Sequence, residues 1–159
     1  MKTVKQVLIL IGVAFLFAGL TNLIHPARIP WVEDWANRVE AQAVSEKIAL
    51  VQLSEMLDFL REDSRLLVDA RSAAEYAQGH IPSAISLPFE SMAMTPEVIA
   101  QVLASEKAPI FYCSGVECDD SLLLALELRK LGREDVAVFI GGMELWRSEL
   151  LSVEEEIDQ

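Results

Sequence analysis

Several things are scarce in this chain, and each scarcity excludes something. Only two cysteines and two histidines occur in 159 residues. The cysteines, Cys113 and Cys118, share one short loop, while His25 and His80 lie far from it in sequence. That is not the four-ligand spacing of a zinc site, so no metal is expected, and no other cofactor is indicated. Basic residues are also few, 13 against 25 acidic ones, for a net charge of −12. From Ser45 onward the balance is nine basic against 22 acidic residues, a net −13. Such a surface excludes nucleic acid as a partner and serves solubility. Internal repeats and low-complexity stretches are missing.

Charge is missing altogether between Val7 and Ile24, VLILIGVAFLFAGLTNLI, after Lys2 and Lys5. As a helix this run spans about 27 Å, close to the hydrocarbon thickness of a bilayer. A cleaved secretory signal shares the basic start and apolar middle, but cleavage wants small residues first and third before the cut. Cuts after Ala18 or Gly19 would put Leu16 or Phe17 at the third position, which fits poorly. The run is therefore expected to be an uncleaved transmembrane anchor over residues 7–24. The basic residues ahead of it, weighed against Arg28 and Arg38 behind it, favour residues 1–6 in the cytoplasm. The remainder is then expected to be periplasmic or otherwise extracytoplasmic, where two nearby thiols risk pairing.

Residues 25–44 read as a juxtamembrane linker, since Pro26 and Pro30 stop the membrane helix. On a helix, Trp31 and Trp35 share a face with Val39 and Ala43. That face either sits at lipid headgroup level or packs on the domain. From residue 45 to 151 short apolar runs alternate with helical patterns. Strands are expected at Ala49–Val51, Leu66–Asp69, Ala84–Leu87, Pro109–Tyr112 and Val136–Ile140. Helices are expected after Ser54, over Ser72–Gln78 closed by Gly79, over Pro96–Ser105 with Pro at its first turn, over Ser121–Leu131, and through Leu145 and Trp146. Continuous apolar strands alternating with helices mean an α/β domain, a parallel sheet covered by helices on both faces. The acidic tail, residues 152–159, is expected to fray.

In parallel sheets ligands bind at the carboxyl ends of the strands. Asp69 and Arg71 follow one strand and Cys113 follows another. The loop Cys113-Ser114-Gly115-Val116-Glu117-Cys118 runs into a helix start, so its backbone N–H groups converge on whatever occupies its mouth. A thiol placed there is a candidate nucleophile.

These residues also resemble a known family. Leu67-Val68-Asp69-Ala70-Arg71, Glu75-Tyr76, Gly79-His80-Ile81-Pro82, Ala84-Ile85 and Leu87-Pro88 are similar to the first half of a rhodanese domain. Tyr112-Cys113 and Gly141-Gly142-Met143 with Trp146 are similar to its second half. The resemblance runs from about Ser45 to Leu151 and leaves out the anchor. It implies a rhodanese-like sulfurtransferase carrying sulfane sulfur as a persulfide on Cys113, with the amides of Ser114, Gly115, Val116, Glu117 and Cys118 cradling the terminal sulfur or a substrate anion. It assigns Asp69, Arg71, Glu75 and His80 to the pattern around the site. Asp69 and Arg71 are taken as candidate substrate-binding residues because they end a strand at the active edge, and His80 as structural.

The loop departs from the family where many active members close it with a basic residue, five positions after the cysteine. Here that position is Cys118. Glu117, Asp119 and Asp120 surround it, with no Lys or Arg between Cys113 and Arg129. Like charges a few Å apart near a surface cost on the order of 1 kcal/mol or more, so weak turnover of the thiosulfate dianion is expected. A phosphatase on the related fold is excluded, because it needs an Arg to grip phosphate. Cys118 is open to three readings: a thiol that resolves a Cys113 persulfide or sulfenate as a disulfide, half of a permanent disulfide, or a buried spectator. The expected partners are a sulfur donor or thiol acceptor and, through the N-terminal helix, the membrane. The alternative function is a weak or inactive rhodanese fold that binds a membrane or envelope partner.

Overall fold

A computed structural model describes residues 2–25 and 35–156. The chain divides into two compact units, residues 1–33 and 34–159. In the first, helix α1 (Lys2–Ile24) carries its apolar side chains exposed around its circumference. The Thr21 hydroxyl is turned back onto the Phe17 and Ala18 carbonyls, each at 2.9 Å. Thr3–Ile24 is long and apolar enough to cross a membrane. Length and composition go no further, since a signal sequence passes the same test.

The second unit is a five-stranded parallel sheet in the order β1-β5-β4-β2-β3, built from β1 (Ala49–Leu50), β2 (Arg65–Asp69), β3 (Ile85–Ser86), β4 (Ala108–Tyr112) and β5 (Ala137–Phe139). Helices α2 (Trp35–Ser45), α3 (Leu53–Glu62), α4 (Ala73–Ala77), α5 (Pro96–Ala104), α6 (Asp120–Lys130) and α7 (Gly142–Ser148) complete it, with a 3-10 turn at Phe89–Met94. The expected strands and helices all form. Their starts are chemical: Ser72 and Glu75 cap α4 reciprocally, and the Glu55 carboxylate accepts the Gln52 N–H at 2.8 Å, so α3 begins at Leu53, one residue before Ser54.

Side chains alternate across the sheet. Val68 and Ala70 of the β2 run, with Phe111 and Cys113 of the β4 run, join Leu122, Leu124, Ala125 and Leu128 of α6 in one core layer. Leu67, Ile110, Tyr112 and Phe139 join Met56 of α3 and Trp146 of α7 in the other. This pattern decides which side of the sheet each candidate residue serves.

Two segments differ from the sequence expectation. The expected linker carries α2, whose Val39 and Ala43 are buried in the first core layer, and Arg129 holds the Glu46 carbonyl just beyond it. The stripe shared by Val39 and Ala43 thus packs on the domain; Trp31 and the Trp35 side chain lie outside the described residues. The chain after Val153 does not fray as far as it is described. Glu154 pairs with His80 by two backbone hydrogen bonds of 2.9 and 3.0 Å, and the Glu156 N–H reaches the Ala77 carbonyl. Residues 157–159 lie outside the described residues.

Candidate active site

Strands β2 and β4 run side by side, with Asp69 opposite Tyr112. Both strands leave the sheet at the same edge, but Asp69, the last residue of β2, and Cys113, the first after β4, lie on opposite faces. Asp69 lies on the Tyr112 side, fully buried. The Arg71 guanidinium folds back onto it, with Nε 3.0 and 3.1 Å from the two carboxylate oxygens and an NH2 group 2.6 Å from Oδ2. The same NH2 donates to the Gly79 carbonyl at 2.9 Å, and the Arg71 N–H also meets Asp69. These bonds fix the Arg71 guanidinium on Asp69 and on the Gly79 carbonyl. Asp69 and Arg71 thus tie the β2 corner to the Gly79 carbonyl just after α4.

Cys113 faces the other way, toward α6, and is 1% exposed. Its neutral thiol donates to the Cys118 carbonyl at 3.1 Å, and the Ser121 hydroxyl lies 3.4 Å from Sγ. The Cys118 thiol shifts the Cys113 pKa most, downward; burial opposes it, and the Ser121 side chain and backbone and the Gly115 backbone add to the lowering. The net direction is below the ordinary thiol value. Cys118 goes the other way, raised by its bond to Cys113, by burial and by the neighbouring charge. The two directions favour the proton on Cys118 over Cys113. The N-terminus of α6, whose first turn supplies Ser121, favours negative charge at the same point.

The loop is clamped from both sides. Its own turn closes with the Cys118 N–H on the Gly115 carbonyl at 3.0 Å, which removes that amide from the expected cradle. At the start of α7, the Met143 and Glu144 N–H groups donate to the Cys113 and Ser114 carbonyls at 2.9 and 2.8 Å. Gly142, at φ +54°, lets this approach happen: a Cβ there would lie 2.4 Å from the Cys113 oxygen. From α4, Glu75 reaches Ser114, whose hydroxyl donates at 3.3 Å. The Ser72 hydroxyl bond is the largest cause holding the Glu75 carboxyl below its ordinary range.

Ser121 and the Gly142–Glu144 clamp were missed by sequence reasoning. A serine three residues after Cys118, in the first turn of a helix following a cysteine loop, is the signal that could have found the first. The acids around the loop also divide. Asp120 takes the Cys118 thiol as a donor at 3.6 Å, and its carboxyl is raised, chiefly by burial. Ser114, Val116 and Glu117 are exposed on the loop's outer side, while Gly115 is buried against Glu144.

Residues 52–149 match the rhodanese-like domain family, and the chain belongs to it. Among solved structures, the BH2092 protein of Bacillus halodurans is 28% identical, with a TM-score of 0.60 over 76% of this chain and 86% of that one. A thiosulfate sulfurtransferase from Pseudomonas aeruginosa is 20% identical, with a TM-score of 0.61 over 79% of this chain and 23% of that one. The human single-domain sulfurtransferase TSTD1 is 24% identical, with a TM-score of 0.53 over 63% of this chain and 96% of that one. These last two likenesses are of fold. No curated protein matches the chain.

Proposed function

We propose that this protein is a membrane-anchored sulfurtransferase of the rhodanese type that carries sulfane sulfur on Cys113. The observation that carries the reading is the placement of Cys113: its sulfur lies at the start of the loop, 3.4 Å from the Ser121 hydroxyl in the first turn of α6, with Cys118 in the same loop. The Cys113 thiolate attacks the outer sulfur of a donor persulfide, R–S–SH. The S–S bond of the donor breaks, R–S⁻ leaves, and Cys113 becomes the persulfide. An acceptor thiolate then attacks the terminal sulfur and takes it, returning Cys113 as thiolate; electrons balance without an external oxidant.

Cys118 supplies a second exit. With its proton passed to Asp120, 3.6 Å away, it attacks Cys113 Sγ, forms the disulfide and expels hydrosulfide. An external dithiol then reduces the disulfide. This resolving role is the reading of Cys118 that the geometry supports best. The acids at the loop exit support weak use of thiosulfate. Helix α1 serves as the anchor, with the N-terminus in the cytoplasm and the domain periplasmic or otherwise extracytoplasmic.

A second reading rests on one observation. Cys113 is 1% exposed, so a domain whose loop never opens is a binding module for a membrane or envelope partner, not an enzyme. Intact mass after incubation with a small persulfide donor separates them. A species one sulfur heavier, reversed by cyanide and missing in Cys113→Ser, supports sulfur carriage. An unchanged mass across all donors supports the binding module. A species two hydrogens lighter after loading, lost in Cys118→Ser, supports the resolving step.

A further inference from the structure

Beside the cysteine loop, at the carboxyl ends of β1 and β5, lies a groove of about 220 Å³. Its apolar walls include Leu53 of α3, Phe139 of β5, Val116 of the loop and Leu145 of α7. This is below the roughly 300 Å³ at which sites for whole small molecules begin, and it suits one side chain. Among the described residues, no Lys or Arg lines it, and Glu40 does. Glu117 adjoins Val116 on the exposed side of the loop, and Glu144, next to Leu145, lies against Gly115. An apolar slot with one carboxylate, Glu40, in its wall favours an apolar group beside positive charge and disfavours one beside negative charge.

Resting on the proposed sulfur exchange at Cys113, we infer that this groove docks a protein segment presenting one apolar side chain flanked by Lys or Arg, and that the segment carries the thiol that exchanges sulfur. Val116 makes the connection: 38% exposed, it is at once a wall of the groove and part of the loop that covers Cys113, three residues away. An occupant of the groove that contacts Val116 therefore touches the loop that covers Cys113. The net negative charge of the domain attracts a cationic segment.

The test uses the full chain in neutral detergent, with Cys113 loaded from a small persulfide donor. Three acceptors are compared: the peptides Lys-Phe-Lys-Gly-Cys and Glu-Phe-Glu-Gly-Cys, and 2-mercaptoethanol. The expected result is a kcat/KM about tenfold higher for the cationic peptide at low salt, converging on the anionic one as salt rises. Glu40→Lys and Leu53→Lys each cut that preference several-fold and leave transfer to 2-mercaptoethanol unchanged. Equal transfer to both peptides, or a preference indifferent to both substitutions, overturns the inference even while 2-mercaptoethanol reports a working Cys113. If Cys113 never loads, Lys-Phe-Lys-Gly-Ser is titrated instead. Saturable binding that Glu40→Lys weakens supports the docking surface and overturns the sulfur reading alone, and no binding overturns the docking surface as well.

Discussion

Strands β2 and β4 are neighbours in register, and each delivers a reactive-looking residue to the same sheet edge. After β2, Asp69 and Arg71 spend their hydrogen-bonding capacity on each other and on the Gly79 carbonyl. After β4, Cys113 meets only soft or neutral partners, a carbonyl, a hydroxyl and a second thiol. A buried ion pair held by several hydrogen bonds is fixed in one geometry. A thiol held by weak donors can ionise and be replaced by a persulfide without leaving a charge unpaired. Residues at the ends of adjacent strands thus meet different partners, an ion pair after β2 and neutral groups after β4, according to the face each one enters.

Cys113→Ser tests the chemical side most severely: sulfur loading, read by intact mass, is expected to vanish while the urea-unfolding midpoint stays near that of the parent. Arg71→Leu tests the architectural side. It strands the buried Asp69 carboxylate, and a loss of about 3–5 kcal/mol is expected in urea unfolding. The double change Asp69→Leu with Arg71→Leu should recover much of that loss. A near-neutral Arg71→Leu that nonetheless blocks loading would show that the corner serves substrate after all.

Gly142→Ala strikes where the cysteine loop is clamped. The added Cβ collides with the Cys113 carbonyl at a positive φ, so about 1–3 kcal/mol of stability should be lost, read by thermal unfolding. Cys118→Ala removes the largest contribution to the lowered Cys113 pKa. The pH profile of iodoacetamide alkylation at Cys113 should move upward and labelling at neutral pH should slow; an unmoved profile would assign the thiolate to Ser121 and α6 alone. Glu75→Gln is the mildest, with about 1 kcal/mol or less expected from a weakened cap. Because the Glu75 carboxyl is lowered in the folded state, its contribution is complete above the unfolded pKa and lost as pH falls through the folded one. The parent and Glu75→Gln should therefore converge in stability at acid pH.

Strand and helix order was readable because the strands are short continuous apolar runs and the helices carry explicit caps, Ser72 with Glu75 and Pro96 at a first turn. Helix α2 was legible only as a stripe, since Val39 and Ala43 do not reveal what they pack against. The docked C-terminal stretch left less trace: its hold on His80 and Ala77 is made by backbone groups, which are the same in every sequence. At the site, the cysteine loop was visible from spacing, but the partners of Asp69 and Arg71, each other and the Gly79 carbonyl, were not. Proximity to one sheet edge was legible; the face was not.

Sequence alone determined the parallel α/β class, the apolar N-terminal run, the acidic balance and the position of two thiols in one loop. These follow from composition and from local periodicity, which every residue carries with it. Tertiary structure decided the rest. It turned Asp69 to the Tyr112 face and Cys113 to the α6 face, set Cys118 and Ser121 around one sulfur, and brought α7 and Glu75 onto the loop from distant parts of the chain. A pKa depends on which groups surround a proton in space, and residues 113 and 143 become neighbours only when strands and helices have packed.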